Sequence, residues 1–196
     1  MGGKTSCDLY TIGHSNDRIE RFLELLSATA ITLVADVRSV PFSRRYPWFS
    51  QSKLAPALEA QGIGYRAFGE TLGGRPNDPA LFRDGVADYP AVAKTSIFQA
   101  GLDAAIAASK GQRLCLMCAE REPLDCHRCL LVARAAAGRG LSVGHILGDA
   151  SVEPHAATED RLIVLTRVKP DLFIADRHTT LAEAYRKRAK TVAFGK

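Results

Sequence analysis

The sequence predicts an α/β fold, a three-layer sandwich around a mainly parallel central sheet, on three observations. Short apolar runs rich in β-branched residues, such as Ile31 to Ala35, have the pattern of strands buried on both faces. Between them lie segments whose apolar residues recur at helical spacing. The two kinds alternate over most of the chain, the order of βαβ units that feed a parallel sheet covered on both sides.

Taken in order, Asp8 to Gly13 reads as the first strand and is followed by His14-Ser15-Asn16. Ile19, Phe22, Leu23 and Leu26 then keep helical spacing, with Asp17 and Glu20 placed to form a capping box. Ile31 to Val37 is the second strand. Leu54 to Gln61 reads as a helix that Pro56 makes begin late and Gly62 closes. Gly64 to Phe68 supplies a third strand, and Gly69 to Pro79, dense in turn residues, reads as a long surface loop. A helix over Ala91 to Ala108, with Ile97, Phe98, Leu102 and Ile106 on one side, leads to the strand Arg113 to Cys118. The next helix starts near Asp125 and runs to the Gly138-Arg139-Gly140 break, and Leu141 to Leu147 is another short strand. Leu162 to Thr166 fits either a strand or a helix capped by Thr158, and Thr180 to Lys190 is helical.

Length and composition set the frame. The 196 residues suit one core, so residues 1–196 are read as one α/β domain, with 150–196 as a C-terminal extension packing on it. Hydrophobic residues at 46% with 24% charged describe an ordinary globular chain. The longest apolar runs fall far short of the roughly 20 residues a bilayer requires, so no membrane partner is expected. The first six residues lack the apolar stretch of a secretion signal, although Gly2 and Ser6 fit the loose myristoylation pattern. Five cysteines without an export signal point to a reducing, cytoplasmic setting. The excess of 26 Lys and Arg over 21 Asp and Glu leans mildly towards anionic partners.

In an open parallel sheet, the loops leaving the C-terminal ends of the strands line the ligand crevice. His14, Arg38 and Cys118 all stand at such ends, so the loops Asp36 to Arg45 and Cys118 to Arg128 are expected to face each other across one crevice. The first loop offers Arg38, Arg44 and Arg45, the hydroxyls of Ser39 and Ser43, and the Asp36 carboxylate, a set suited to a phosphate or carboxylate. An equally weighted alternative is a solvated loop in which Asp36 pairs with Arg38. In the second loop, Asp125 is placed to cap the following helix, which puts Cys126 and His127 in its first turn, where amide donors, the helix dipole and Arg128 favour a thiolate. Glu120 and His14 are the further candidates for proton transfer.

The cysteines divide by surroundings. Cys115 and Cys129 are flanked by Leu114, Leu116, Leu130 and Leu131 and read as core, and Cys7, near the terminus, carries little information. The two C-x2-C pairs, Cys115 with Cys118 and Cys126 with Cys129, superficially resemble a zinc site. Residues 115 and 118 point to opposite faces of a strand, however, so the four cysteines are not expected to share an ion; no metal site is expected, and no cofactor.

Several motifs together resemble the bacterial and archaeal domain-of-unknown-function family 488. They are Tyr10-Thr11-Ile12-Gly13-His14-Ser15, then Asp36-Val37-Arg38-Ser39-Val40-Pro41 with Ser43-Arg44-Arg45 and Pro47, then Leu72-Gly73-Gly74. The most specific is Met117-Cys118-Ala119-Glu120 with Pro123 and Cys126-His127-Arg128, and together the motifs span residues 9–149. Cys118, Glu120, Cys126, His127 and Arg128 match motif positions, whereas Cys115 and Cys129 do not. The resemblance implies an α/β fold and brings no settled reaction. A looser similarity to rhodanese-like domains rests on Asp36-Val37-Arg38 after one strand and a cysteine after a later one. The loop from Cys118 to Arg128 departs from the compact loop of that group.

The leading expectation is an enzyme, a hydrolase or transferase on a nucleotide-type substrate. Arg38, Arg44, Arg45 and Arg128 would grip its phosphate, Glu120 and His127 would manage protons, and Cys118 or Cys126 would act as nucleophile or shape the pocket. One alternative is a nucleic-acid binding module in which Tyr46, Trp48 or Phe49 stacks on bases, although Trp48 and Phe49 are twice as readily read as anchors of the loop. The other is a thiol-based redox or sulfur-transfer protein using Cys118 and Cys126.

Overall fold

Six strands form the central sheet of the computed structural model, which describes residues 7–168 and 176–195; the myristoylation reading of Gly2 and Ser6 lies outside them. In chain order the strands are β1 (Leu9–Gly13), β2 (Leu33–Asp36), β3 (Gly64–Ala67), the two-residue pair β4 (Phe82–Arg83) and β5 (Val86–Ala87), β6 (Leu114–Cys118), β7 (Val143–Ile146) and β8 (Val152–Pro154). The large sheet has the order β3-β2-β6-β1-β7-β8, parallel except for the edge pairing of β7 with β8, while β4 and β5 make a separate antiparallel hairpin. The helices are α1 (Ile19–Ala28), α2 (Gln51–Glu59), the single turns α3 (Gly69–Leu72) and α4 (Tyr89–Val92), α5 (Ser96–Ser109), α6 (Arg134–Gly138), α7 (His155–Thr166) and α8 (Arg177–Val192).

Strand alternation divides the core into two layers, as a sheet covered on both faces requires. Tyr10, Ile12, Val34, Cys115 and Met117 pack with Phe22, Leu25 and Leu26 of α1 and with Leu54 and Leu58 of α2. Leu9, Leu33, Ala35, Leu114, Leu116 and Cys118 face Phe98 and Leu102 of α5, Leu162 of α7 and Ala184 and Tyr185 of α8. Each fully buried Leu or Phe contributes about 1.5–3 kcal/mol by leaving water. Helices α7 and α8 thus pack into the core layer on that face of the sheet.

Local expectations were met unevenly. Residues 162–166 take the helical alternative, inside α7, and Thr158 lies within that helix instead of capping it. Pro56 does not delay α2, which starts at Gln51 and carries the proline in its interior. Asp17 and Glu20 form no capping box, because the Asp17 carboxylate accepts from Arg121 at 2.7 Å and α1 has no side-chain cap. The helix expected over 91–108 is broken, since Thr95 caps α5 and separates it from α4, and the break turns Ile97 outward to 63% exposure. Gly69 to Leu72, expected in loop, form a helical turn that buries Leu72. Neither β8 nor the β4–β5 hairpin was anticipated.

Candidate functional site

Strands β2, β6 and β1 are adjacent and parallel in the sheet, so their C-terminal ends are neighbours. Cys118 is in register with Gly13, and Met117 with Asp36. Past the strands the ladder continues: His14 N–H donates to the Cys118 carbonyl at 2.9 Å and Val37 N–H to that of Met117 at 3.0 Å. The backbone therefore holds the starts of all three loops together, and a cavity of about 920 Å3 opens above them. His14, Arg38, Ser39, Ser43, Arg45, Cys118, Glu120, Cys126 and His127 line it, together with Arg75, Tyr89 and Phe194, which had not been singled out from sequence.

Asp36 and Arg38 form a buried unit. Arg38 donates to Asp36 through Nε at 2.9 Å and through Nη2 at 2.6 Å, and Tyr65 Oη donates to the same carboxylate at 2.8 Å. Arg38 is 6% exposed and Asp36 1%, so Asp36 does pair with Arg38, but as a buried unit and not on a solvated loop. The remaining Arg38 nitrogen, Nη1, donates to His14 Nε2 at 3.3 Å, while His14 Nδ1 lies 2.9 Å from the Ser15 carbonyl. The His14 ring stacks on Phe49 with centroids 4.1 Å apart. Burial first, and then the Arg38 charge, depress the His14 pKa to about 4, leaving it neutral near pH 7.

The rest of the first loop is held by its own side chains. Ser43 Oγ accepts from Tyr46 N–H at 3.0 Å, Ser39 Oγ accepts from Arg75 N–H at 3.2 Å, and Trp48 Nε1 donates to the Asp17 carbonyl at 3.0 Å. Phe49 is fully buried and Trp48 is pinned by that hydrogen bond, as anchors of the loop. Arg44 is exposed and outside the cavity lining, whereas Arg45 lines it. Arg75 enters from the segment after α3, with its guanidinium 4.9 Å from the Phe194 ring. No spacing rule links residue 75 or residue 194 to the strand-end motifs, so folding alone brings them there.

The second loop is organised by Arg128, which is fully buried. Its Nη1 donates to the Glu120 carbonyl, its Nη2 to that of Arg121 at 2.9 Å, and its Nε to Thr11 Oγ1 at 3.3 Å. Arg128 is thus an internal brace, absent from the cavity wall. Gly13 is required beneath this loop, because a Cβ there would lie 1.7 Å from the Glu120 carbonyl oxygen. The expected helix cap also differs: Asp125 ends a 3-10 turn begun by Pro123, and its carboxylate pairs with Arg188. Cys126 is extended, and His127 precedes a π-helical segment over Arg128–Ala133 that runs into α6.

Cys118, Glu120, Cys126 and His127 meet at the floor of the cavity. Cys118 Sγ donates to Glu120 Oε2 at 3.1 Å and lies 3.7 Å from His127 Nδ1, which is 4.0 Å from Cys126 Sγ. His127 Nε2 lies 2.9 Å from the Val37 carbonyl, so that its N–H donates there and Nδ1 turns to the sulfurs. Arg128 N–H donates to Cys126 Sγ at 3.4 Å. Burial opposes ionisation of Cys126, but the Cys118 hydrogen bond, the Arg128 charge and His127 outweigh it and hold this thiol well below the usual cysteine range. The adjacent Cys126 sulfur, and then burial, push Cys118 well up. Burial and the neighbouring Cys126 raise Glu120, the direction a carboxyl that handles protons near neutrality needs.

Two groups among the described residues bring three metal-ligating atoms within 4.8 Å of one another: Cys118, Cys126 and His127 at the cavity floor, and Cys129, His145 and His155 buried behind it. The four cysteines of the two C-x2-C pairs do not converge, since Cys115 belongs to the core layer under α1 and α2 and Cys129 to the opposite layer.

No curated protein and no solved structure matches the chain. A family does: residues 18–135 match Domain of unknown function DUF488. The matched span includes both loops, from Asp36 to Arg45 and from Cys118 to Arg128, and stops before α7 and α8. The match covers well over half of the chain, which therefore belongs to the DUF488 family.

Proposed function

We propose that the protein is an enzyme that acts on a phosphate-bearing ligand of nucleotide type in the strand-end cavity. The observation that carries this reading is the pairing, within about 920 Å3, of a floor made of Cys118, Glu120, Cys126 and His127 with walls that carry the Arg45 and Arg75 guanidiniums. That volume lies within the usual range for small-molecule sites, about 300–1,000 Å3. Tyr46, half-buried in the lining, offers a face for a base. The grip on phosphate shifts relative to the sequence expectation: Arg45 and Arg75 take it, because Arg38 and Arg128 spend their donors inside the protein. Glu120 serves as the proton carrier, and His127 orients the thiols.

A panel of nucleoside mono-, di- and triphosphates, nucleosides and inorganic phosphate, screened by thermal shift and then by turnover, tests the proposal. Phosphorylated ligands raise the melting temperature and nucleosides do not. Arg45→Ala and Arg75→Ala weaken binding, while Glu120→Gln binds normally and turns over slowly. Equal stabilisation by nucleosides and nucleotides, or full turnover in Glu120→Gln, would sink the proposal.

A further inference from the structure

We propose that Cys118, Cys126 and His127 bind one thiophilic divalent ion of the zinc class, with a coordination position left towards the cavity. A nucleophilic cysteine needs one thiol and one imidazole, but here two thiols share one imidazole nitrogen, at 3.7 and 4.0 Å. Zinc bonds of about 2.3 Å to sulfur and about 2.0–2.1 Å to nitrogen give sulfur-to-nitrogen separations of about 3.6 Å at the tetrahedral angle. A closure of a few tenths of an ångström therefore brings each sulfur-to-nitrogen separation to bonding geometry, and all three ligand atoms lie within 4.8 Å of one another.

The surroundings are those of a ligand set held in place. His127 Nε2 donates to the Val37 carbonyl, the usual outer partner of a metal-binding histidine, which leaves Nδ1 as the ring atom that faces the sulfurs. Gly74 presses on the ring, since a Cβ there would stand 2.6 Å from His127 Cγ, so the imidazole has little room to turn. A backbone N–H already supports the Cys126 sulfur. All three residues line the cavity, which supplies both an entry path and an open position, and Glu120 stands 3.1 Å from Cys118.

The second group, Cys129 with His145 and His155, fits an ion less well. Its two imidazole nitrogens are 2.9 Å apart, a hydrogen bond, where ligands of one tetrahedral ion would stand about 3.3 Å apart. Every ring nitrogen in it has a partner: Thr11 Oγ1 at 2.8 Å from His145 Nδ1, and Tyr185 Oη at 3.0 Å from His155 Nε2. That group is complete as a buried hydrogen-bond chain.

The metal site deepens the proposed function and rests on the same cavity being the reaction site, because an ion there would activate water or polarise a phosphoryl oxygen beside Glu120. The full-length chain, reduced, stripped with a chelator and titrated with Co2+ as the probe, provides the test. One equivalent of Co2+ gives a thiolate-to-cobalt charge-transfer band, which Zn2+ then abolishes. Cys118→Ser and Cys126→Ser each bind at least about 100-fold more weakly, beyond the usual effect of losing an outer-shell partner, while Cys129→Ser retains the band. In the unmutated chain, Co2+ also protects Cys118 and Cys126 from alkylation, a readout that needs no variant to fold. Absence of the band in the unmutated chain, or its loss in Cys129→Ser alone, overturns the assignment. Cobalt binding without nucleotide stabilisation would discard the proposed function and keep the site; nucleotide turnover in a chain that binds no cobalt would do the reverse.

Discussion

His14 offers a direct way to test the electrostatics of the site. Its ring is 3% exposed, stacked on Phe49 and hydrogen-bonded to Arg38, and its pKa is depressed to about 4. The unfolded chain takes up the corresponding proton near pH 6.5. Between about pH 6.5 and 4 the unfolded state therefore binds one more proton at this residue than the folded state does, so stability falls as pH falls and levels off below 4. From pH 7.5 to 5.5 the loss from His14 alone amounts to about 1.4 kcal/mol, or about 3–6 °C in melting temperature for a chain of this size. Burial also lowers the pKa values of His145 and His155, so both push in the same direction. The assay is urea denaturation at the two pH values for the native chain and for His14→Gln, whose amide can reproduce both hydrogen bonds but does not titrate. The expected result is a pH-dependent loss smaller by about 1.4 kcal/mol in the variant. Identical losses in the two proteins would show that His14 is not buried neutral beside Arg38, and the arrangement of this end of the cavity would be wrong.

Other perturbations separate the architectural residues from those free to meet a ligand. Asp36→Asn strips Arg38 of its bidentate carboxylate and leaves a buried charge unpaired, at a cost of about 3–5 kcal/mol, whereas Tyr65→Phe removes one hydrogen bond and costs about 1.5–3 kcal/mol; chemical denaturation distinguishes the two. Gly13→Ala drives a Cβ into the Glu120 carbonyl and destabilises the fold by at least about 3 kcal/mol, while Gly138→Ala, where nothing stands within 4 Å, stabilises it by about 0.5–1 kcal/mol. Gly74→Ala displaces the His127 ring and lowers turnover about 100-fold, with circular dichroism still reporting a folded chain.

The fold was legible in the sequence wherever a signal is local and repeated. The apolar runs at β1, β2 and β6 fixed strand polarity, and polarity alone was enough to place His14, Arg38 and Cys118 at one edge. Boundaries and caps were less legible because each depends on a competing partner. Asp17 leaves its capping role for Arg121, and Asp125 for Arg188, both more than sixty residues distant. Arg75 and Phe194 reach the cavity only through the packing of the segment after α3 and of the C-terminal tail, neither of which follows from periodicity.

The arginines show why composition alone does not say which guanidiniums of a loop are free to meet a ligand. Counting guanidiniums in the stretch from Asp36 to Arg45 treats them as equivalent, yet a guanidinium in a poorly solvated interior persists only where most of its N–H groups are already satisfied. Arg38 meets that condition through a carboxylate two residues away, and Arg128 through two backbone carbonyls and a threonine hydroxyl. Such residues are best suited to shaping a site, because releasing them to a ligand would cost the contacts that hold the loops. On the proposed function, an anion would therefore meet Arg45 and Arg75, whose charges stand at the cavity wall without a carboxylate of their own among the ion pairs of the described residues. Within one loop, the most buried arginine is then the least suited to grip substrate and the most damaging to remove.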